Sequence, residues 1–358
     1  MNVKREIRSA NVAVVGGAGF LGSHLTRHLI EDRQCNVLVI DNLFAGRREF
    51  VHSAAHFEHA DITKSEAHLR NLFRGYSVEY VFNYAAHPYV PMSFERPLFV
   101  FETNAVGALQ VINAAQEAEC VKGILQVSSA EVYGHGMNFE EQQGAMMKGI
   151  DEGYSITPHS SYGAAKAAID AMIPVRWKEA KTPVIGLRQF NCIGERETHP
   201  YVVPEIISQV ARDGLTLEVF DGTPLSGSRG IRLGNNSTRD FLYAGDAVKM
   251  AVELLEKGEF GEVYNLGSQQ PIKVYDLVPK IGGLMGKGKE CSVEPDEGRM
   301  RPWEIWYLQS DNAKIYGVID HRPEVHLDEA LKAAIRWFDA NGGKWPWEKR
   351  PGEEIRWS

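Results

Sequence analysis

The chain has little of what marks disulfide-stapled, metal-clustered, membrane-spanning or nucleic-acid-binding proteins. Its four cysteines, Cys35, Cys120, Cys192 and Cys291, lie far apart and form no CxxC. That leaves no disulfide framework and no zinc ribbon, and fits free thiols in a reducing compartment. The twelve histidines fall at no metal-ligand spacing, so no metal is expected. No run of about 18 apolar residues occurs, so no membrane span is expected. The first residues are charged, and the apolar run from Asn11 to Val15 is too short for a signal sequence. A net charge of −8 lacks the basic footprint that nucleic acid requires. Internal repeats are absent. What remains is the expectation of a cytoplasmic globular protein. Its 358 residues, 44% hydrophobic and 24% charged, suffice for one large or two smaller domains with a substantial core.

What is present begins with a strand, a glycine turn and a helix. Asn11-Val12-Ala13-Val14-Val15 is a short β-branched run, and Gly16-Gly17-Ala18-Gly19-Phe20-Leu21-Gly22 follows at once. Ser23 to Glu31 continues the helical spacing of Leu21, Leu25 and Leu29. This is the context of a dinucleotide fingerprint: the glycines allow a tight turn and let backbone N–H groups approach a pyrophosphate at a helix N-terminus. Candidate cofactor contacts here are Gly16, Gly19, Phe20, Leu21 and Gly22. A second strand, Asn36 to Ile40, ends in Asp41, followed by Asn42. An acid about 20 positions past the glycines accepts hydrogen bonds from the adenosine ribose and repels a 2′-phosphate, which favours NAD over NADP. Arg47 and Arg48 nearby temper that preference, and Asp41 also suits a loop cap.

Further strands are expected at Phe57–Ala60, Val78–Tyr84 and Ile124–Val127, with an amphipathic helix over Thr103–Ala118. They lead to Asp61-Ile62, to Ala85-Ala86-His87 and to Ser128-Ser129-Ala130-Glu131. Alternating strands and helices imply an α/β, mostly parallel, doubly wound sheet, with ligands beyond the carboxyl ends of its strands. Asp61 and Ile62 suit the adenine edge. Ala85 and Ala86 are small enough for a cofactor to lie against the backbone.

Ser160-Ser161-Tyr162-Gly163-Ala164-Ala165-Lys166 reads as helix, placing Tyr162 and Lys166 on one face at i and i+4. A phenol titrates near ~10 and needs its phenolate stabilised to act as a base at neutral pH. An ammonium one turn away supplies that, making the pair a general base for a sugar or alcohol hydroxyl.

The glycine fingerprint, Asp41, Ser129, Tyr162 and Lys166, in that order, resemble the extended short-chain dehydrogenase/reductase family, and within it a nucleotide-sugar epimerase/dehydratase. Arg188-Gln189-Phe190-Asn191, Thr238-Arg239-Asp240-Phe241, Tyr264-Asn265-Leu266-Gly267 and Arg299-Met300-Arg301-Pro302 support the resemblance. It implies a Rossmann-type NAD-binding domain over 1–187 and a smaller C-terminal substrate-binding α/β domain over 188–358, with segments near 238–267 returning to the first. It implies NAD as cofactor, a nucleotide-diphosphate sugar as substrate, and a homodimer packed through the helices near Leu98–Ala118 and Tyr162–Ala180. Tyr162 and Ser129 would flank the sugar C4 hydroxyl and Lys166 would hold the nicotinamide ribose. Glu131 would take the C5 proton in a 4,6-dehydratase. Glucose-type dehydratases carry Ser/Thr-Asp-Glu here, whereas this chain has Ser129-Ala130-Glu131, which leaves protonation of the leaving hydroxyl open. A 4-epimerase, then a uronic-acid decarboxylase, are the other enzymatic readings. A non-enzymatic NAD-sensing regulator on the same fold is the last, disfavoured because the Tyr162–Lys166 pair is kept. Arg239 and Arg301 would grip the diphosphate, Asn191 the sugar or phosphate, and His87 and His159 lie near the expected cleft as sugar contacts.

In the second half, helices are expected over Val202–Arg212, from Gly245 to Leu255, and over Leu327–Asn341. A strand is expected over Leu215–Phe220. The loop 221–230 reads as a dispensable insertion or a lid, and the irregular stretch 136–149 as packing or a substrate contact.

Overall fold

The computed structural model describes residues 5–134, 149–212, 229–287 and 291–348. The expected strand at 215–220 and most of the segments 136–149 and 221–230 lie outside the described residues.

The strands β1 (Asn11–Val15), β2 (Asn36–Asp41) and β3 (His56–His59) are separated by α1 (Phe20–Glu31) and short loops. After α2 (Glu66–Gly75) come β4 (Tyr80–Asn83) and then the short helices α3 (Val90–Glu95) and α4 (Pro97–Phe101). α5 (Ala108–Glu117), β5 (Gly123–Ser129), α6 (Ser161–Ala180) and β6 (Val184–Gln189) follow. Later in the chain β10 (Val263–Leu266) completes a seven-stranded sheet in the order β10-β6-β5-β4-β1-β2-β3, parallel throughout. Both faces are covered, so the strands read as continuous apolar runs. Alternate residues feed opposite cores. Val12, Val14, Val37 and Val39 pack with Leu25 and Leu29 of α1. Ala13, Val15, Leu38 and Ile40 pack with Leu69, Val111 and Ile169 on the other face. Strand order reverses between β1 and β4, which opens a crevice at their carboxyl ends.

The second body is built from β7 (Asn191–Ile193), α7 (Val202–Ala211), β8 (Arg229–Leu233) and β9 (Thr238–Tyr243). β11 (Pro271–Lys273), α9 (Leu277–Leu284), β12 (Cys291–Pro295) and α11 (Leu327–Ala340) complete it. β9 pairs with β7 in parallel and with β11 antiparallel, and β8 pairs with β12. Its core is separate and includes Ile206, Ile207, Val278, Leu331 and Phe338. Between these pieces the chain goes back: α8 (Ala244–Lys257) places Ala247, Val248 and Ala251 in the core beneath α1. α10 (Ala313–Tyr316) adds Ile315 to the same core.

Two features depart from the sequence expectation. The helix expected from Thr103 begins as a π turn over Glu102–Gly107 before α5. This turn buries Thr103 and Asn104, and the Asn104 amide takes both backbone groups of His87. The rod Pro97–Glu117 (21 residues, mean hydropathy 1.2) is also long and apolar enough to cross a membrane, which a search for unbroken apolar runs overlooks. Here 56% of its apolar window is buried, and Val111, Ile112 and Ala115 belong to the core under the sheet.

Candidate active site

The chain leaves β1 at Gly16, whose φ of +80° is the left-handed conformation that glycine adopts without strain. A Cβ at Gly16 would lie 2.6 Å from the Ala85 nitrogen, and one at Gly22 would lie 2.1 Å from the Gly16 oxygen. Backbone therefore packs on backbone between the turn, α1 and the end of β4. α1 has no side-chain cap, so its first N–H groups face the crevice as an anion site.

Asp41 ends β2, accepting from the Ala18 nitrogen at 3.0 Å and the Leu43 nitrogen at 2.8 Å. Burial pushes its carboxyl up despite these bonds. Asn42 donates to Asp61 at 3.1 Å. Burial pushes Asp61 upward, but bonds from Thr63 and Asn42 outweigh it and hold the carboxyl below its ordinary value.

The crevice has two adjoining chambers that share Phe20, Leu21, Phe190, Asn191, Tyr201 and Arg301 as walls. The inner, about 260 Å³, is lined by the glycine turn, Asp41, Asn42, Ile62, Ala85, Ala86, His87, Ser129, Glu131, Tyr162 and Lys166. The outer, about 620 Å³, carries Asn191, Arg239, Arg299 and Arg301. Three atoms on the inner walls, Tyr84 Oη, His87 Nδ1 and Gln189 Oε1, are buried without a hydrogen-bond partner. A glycine cradle at an uncapped helix, an acid at the end of β2 and unsatisfied polar atoms along the wall fit a dinucleotide.

Ser129 caps a single turn over Ala130–Tyr133, accepting from the Glu131 nitrogen at 3.2 Å. The segment before α6 is clamped to that turn: Thr157 Oγ1 donates to the Tyr133 carbonyl at 2.8 Å and the Thr157 nitrogen to the Val132 carbonyl at 3.0 Å. Ser160 caps α6, and a Cβ at Gly163 would lie 2.8 Å from the Glu131 oxygen. Close approach at that glycine is what brings Tyr162 against Ser129 and Glu131. The phenol is 7% exposed and hydrogen-bonded to Ser129.

The electrostatics of the pair differ from the sequence expectation. Burial raises the Tyr162 phenol well above its ordinary value. Ser129 opposes that rise and the Glu131 charge adds to it. Lys166 donates to the Val127 carbonyl at 3.0 Å, and its Nζ is 6.0 Å from the Tyr162 ring centroid. Burial lowers this lysine to about 8, with Asp170 opposing. The ammonium alone therefore does not prepare a phenolate in the free protein, because desolvation of the phenol outweighs it.

Arg301 bridges the chambers, its Nη1 3.4 Å from Glu131. Arg239 is 7% exposed and donates to its neighbour's carbonyl, Thr238, at 2.9 Å. Burial and the Arg301 charge lower it to about 10. Two cations converge on the outer chamber, the more buried of them, Arg239, without an ion-pair partner among the described residues, and this suits an anionic ligand. Asn191 is exposed in the same chamber. His87 belongs to the inner chamber, stacked on Phe99 with centroids 4.3 Å apart, and burial lowers it to about 4. It is a neutral wall there and not a lining of the outer chamber. His159 lies edge-on to Trp303 and lines neither chamber.

Two buried networks that position the site escaped sequence reasoning. Arg188 pairs with Asp170 at 2.6 Å and donates to Tyr133 Oη at 2.8 Å, while Tyr133 donates to Asn265 at 2.7 Å. This ties α6, one turn past Lys166, to β6 and β10. Asp240 accepts from Ser268, Gln269 and Ser310, fixing β9 so that Arg239 reaches the cleft. The only signal for either was a buried-type motif carrying a charge. Away from the cleft, Asp246, His321 and Glu324 bring one ligand atom each within 4.8 Å of one another. Asp246 accepts the backbone N–H of residues 324 and 325, and Lys249 pairs with Glu324, so this group clasps α8 to the following loop.

The NAD dependent epimerase/dehydratase family matches residues 12–267. The chain is 28% identical over 347 residues to a dTDP-D-glucose 4,6-dehydratase of Bos taurus, covering 93% of this chain and 90% of that protein. A UDP-glucose 4-epimerase of Thermotoga maritima, solved with UDP-glucose, superposes with a TM-score of 0.78 at 26% identity over 92% of this chain and 99% of the other. A UDP-N-acetylglucosamine 4-epimerase of Methanobrevibacter ruminantium, in complex with UDP-N-acetylmuramic acid, superposes with a TM-score of 0.76 at 25% identity, covering 93% and 99%. The parallel sheet, the crevice at its switch point and a match across most of the first body agree, and the chain belongs to the NAD-dependent epimerase/dehydratase family.

Proposed function

We propose that this chain is an NAD-dependent nucleotide-sugar 4,6-dehydratase working through a transient 4-keto sugar. The observation that carries the reading is Glu131 beside Tyr162 on one wall of the inner chamber, within reach of Arg301. Gly16, Gly19, Gly22, Asp41 and Lys166 would hold NAD, which supplies a reversible hydride acceptor and a positive charge near Tyr162. That charge supplies what Lys166 lacks: it favours the phenolate against burial. Tyr162 then accepts the proton of the sugar C4 hydroxyl while Ser129 hydrogen-bonds the same oxygen. With a carbonyl at C4, the C5 hydrogen is acidic. Glu131 takes that proton and passes it to the departing C6 hydroxyl, so that water leaves and a C5–C6 double bond forms. The hydride removed from C4 would return to C6 as a proton goes back to C5, giving the 4-keto-6-deoxy sugar. Arg239 and Arg301 neutralise the diphosphate of the substrate, and Asn191 contacts its sugar or phosphate.

One observation favours a 4-epimerase instead: Ala130 is 2% exposed and carries no acid where a proton donor for the leaving hydroxyl would stand. Incubation with UDP- and dTDP-hexoses and mass analysis of the product separates the readings. Loss of one water supports dehydration, unchanged mass with altered stereochemistry supports epimerisation, and loss of carbon dioxide from a uronic-acid sugar supports decarboxylation. The reading also includes a homodimer. Leu98 (69% exposed), Val106 (46%) and Val175 (37%) present an apolar face on the helices that would pair.

A further inference from the structure

Two arginines follow Asp41 closely, and cationic groups there would receive a ribose 2′-phosphate. The structure shows where each is held. The Arg48 guanidinium lies over the Phe57 ring, 4.6 Å from its centroid. Arg47 donates from Nη2 to the carbonyl of Pro346, 299 positions later in the chain. Its own backbone is fixed beside the cofactor cradle: the Arg47 nitrogen donates to the Ala18 carbonyl at 2.9 Å. The preceding Gly46 lies against Asp41, since a Cβ there would be 2.8 Å from Asp41 Oδ1.

Pro346 is itself anchored. Trp345, 2% exposed, stacks on Trp337 of α11 at 5.3 Å and on Trp347 at 5.4 Å, and packs against Phe338. Glu348 accepts from Ser208 at 3.0 Å and from the Trp345 nitrogen at 3.2 Å. The segment from Trp345 to Glu348 thus runs from the core of the second body to the loop that carries Arg47.

We infer that this C-terminal strap sets dinucleotide selectivity, drawing Arg47 away from the ribose so that Asp41 alone meets the 2′ position. The inference rests on the dinucleotide reading of the inner chamber. Asp41 repels a 2′-phosphate, and an arginine one loop away would offset that repulsion if its guanidinium were free. With the guanidinium bonded to Pro346 and the other arginine lying on Phe57, no cation from this loop is left to do so. Selectivity for the unphosphorylated ribose is then assigned to the strap together with the acid at the end of β2.

The test measures the dissociation constants of NAD and NADP by calorimetry, with no turnover involved. Four chains are compared: the full chain, a chain stopped after Gly343, and Arg47→Ala in each. Release of Arg47 is expected to tighten NADP relative to NAD by about tenfold or more, the size of a charge-assisted hydrogen bond. That gain should vanish when Arg47→Ala is added to the shortened chain. An unchanged ratio in a folded shortened chain, or a gain that survives Arg47→Ala, overturns the inference. Should the shortened chain fail to fold, Trp347→Ala with Glu348→Ala loosens the strap while leaving Trp345 seated, and the same ratio decides. A full chain that binds neither dinucleotide overturns the functional reading and this inference with it. A full chain that binds NAD while the ratio stays fixed overturns this inference alone.

Discussion

Arg239 is a cation kept dry before any ligand arrives, and removing it should make the free protein more stable. Its guanidinium is 7% exposed, and its one described hydrogen bond runs to the Thr238 carbonyl. Burial, with Arg301 nearby, lowers it to about 10, which corresponds to about 3 kcal/mol against the charged form at neutral pH, at about 1.36 kcal/mol per tenfold change in proton affinity. Arg239→Met keeps most of the side-chain length and removes the charge. It forfeits one hydrogen bond worth about 1 kcal/mol. The Thr238 oxygen stays satisfied, because it also accepts from the Leu308 nitrogen at 3.1 Å. The net expectation is a gain of about 2 kcal/mol in the unliganded protein, read as a higher urea midpoint with an unchanged slope. The same change should weaken binding of UDP or dTDP by about tenfold to a hundredfold, the loss of a charge-assisted contact to phosphate. Unfolding curves with and without the nucleotide, together with calorimetry, measure both. If Arg239→Met is less stable without ligand than its parent, or binds the nucleotide equally well, the picture of a cation stored for a diphosphate is wrong.

Tyr162→Phe should bind NAD and nucleotide as before while turnover falls by about 10²–10⁴-fold, and near-normal turnover would remove the phenol as the base. Glu131→Gln should leave NAD binding intact and stop exchange of the C5 hydrogen with deuterated solvent; continued exchange would take Glu131 out of the mechanism. Glu197 is fully buried, and burial raises its carboxyl well above the ordinary range. A raised carboxyl contributes stability below its unfolded value near ~4.3 that is lost as pH climbs toward the folded value. Glu197→Gln should therefore gain on the parent progressively as urea unfolding is repeated from pH 5 to pH 8, and a constant difference would refute the assignment. Leu98→Asp, at a residue 69% exposed, should shift the chain toward monomer by light scattering without unfolding it.

The sequence was most legible where one local pattern dictates both backbone and chemistry. The run Asn11–Val15, the glycine turn and α1 are consecutive, and backbone packing on backbone at Gly16 and Gly22 admits no other residue type. The i, i+4 spacing of Tyr162 and Lys166 likewise needs only helix geometry. What stayed hidden depends on distance through space or on solvation. The π turn at Glu102–Gly107 has the composition of an ordinary helix, and where its register slips Asn104 satisfies the backbone of His87, 17 positions earlier. The Asp170–Arg188 pair joins elements 18 positions apart and the Arg47–Pro346 bond spans 299, separations at which no spacing rule operates. Spacing and charge in the sequence carry no information on how far Tyr162 and Lys166 are desolvated. Once both groups are buried, desolvation is the first influence on each and drives them toward their neutral forms.

That same competition between desolvation and charge organises the whole cleft. The chain carries a net charge of −8, yet the outer chamber gathers Arg239, Arg299 and Arg301. Arg299 is paired with Glu205, and Arg301 lies 3.4 Å from Glu131. Only Arg239 stands ready for a diphosphate without giving up a described carboxylate. On the dehydratase reading, Arg301 has two anionic claimants, the substrate diphosphate and the base that removes the C5 proton. A phosphate oxygen drawing Arg301 outward takes it from the Glu131 carboxylate, 3.4 Å away, and leaves that oxygen open to the sugar. The base is then uncovered only when the diphosphate is seated, so binding energy far from the reacting carbons is spent where the proton is removed. A sugar lacking its nucleotide would fill the inner chamber and still meet a Glu131 oxygen occupied by Arg301.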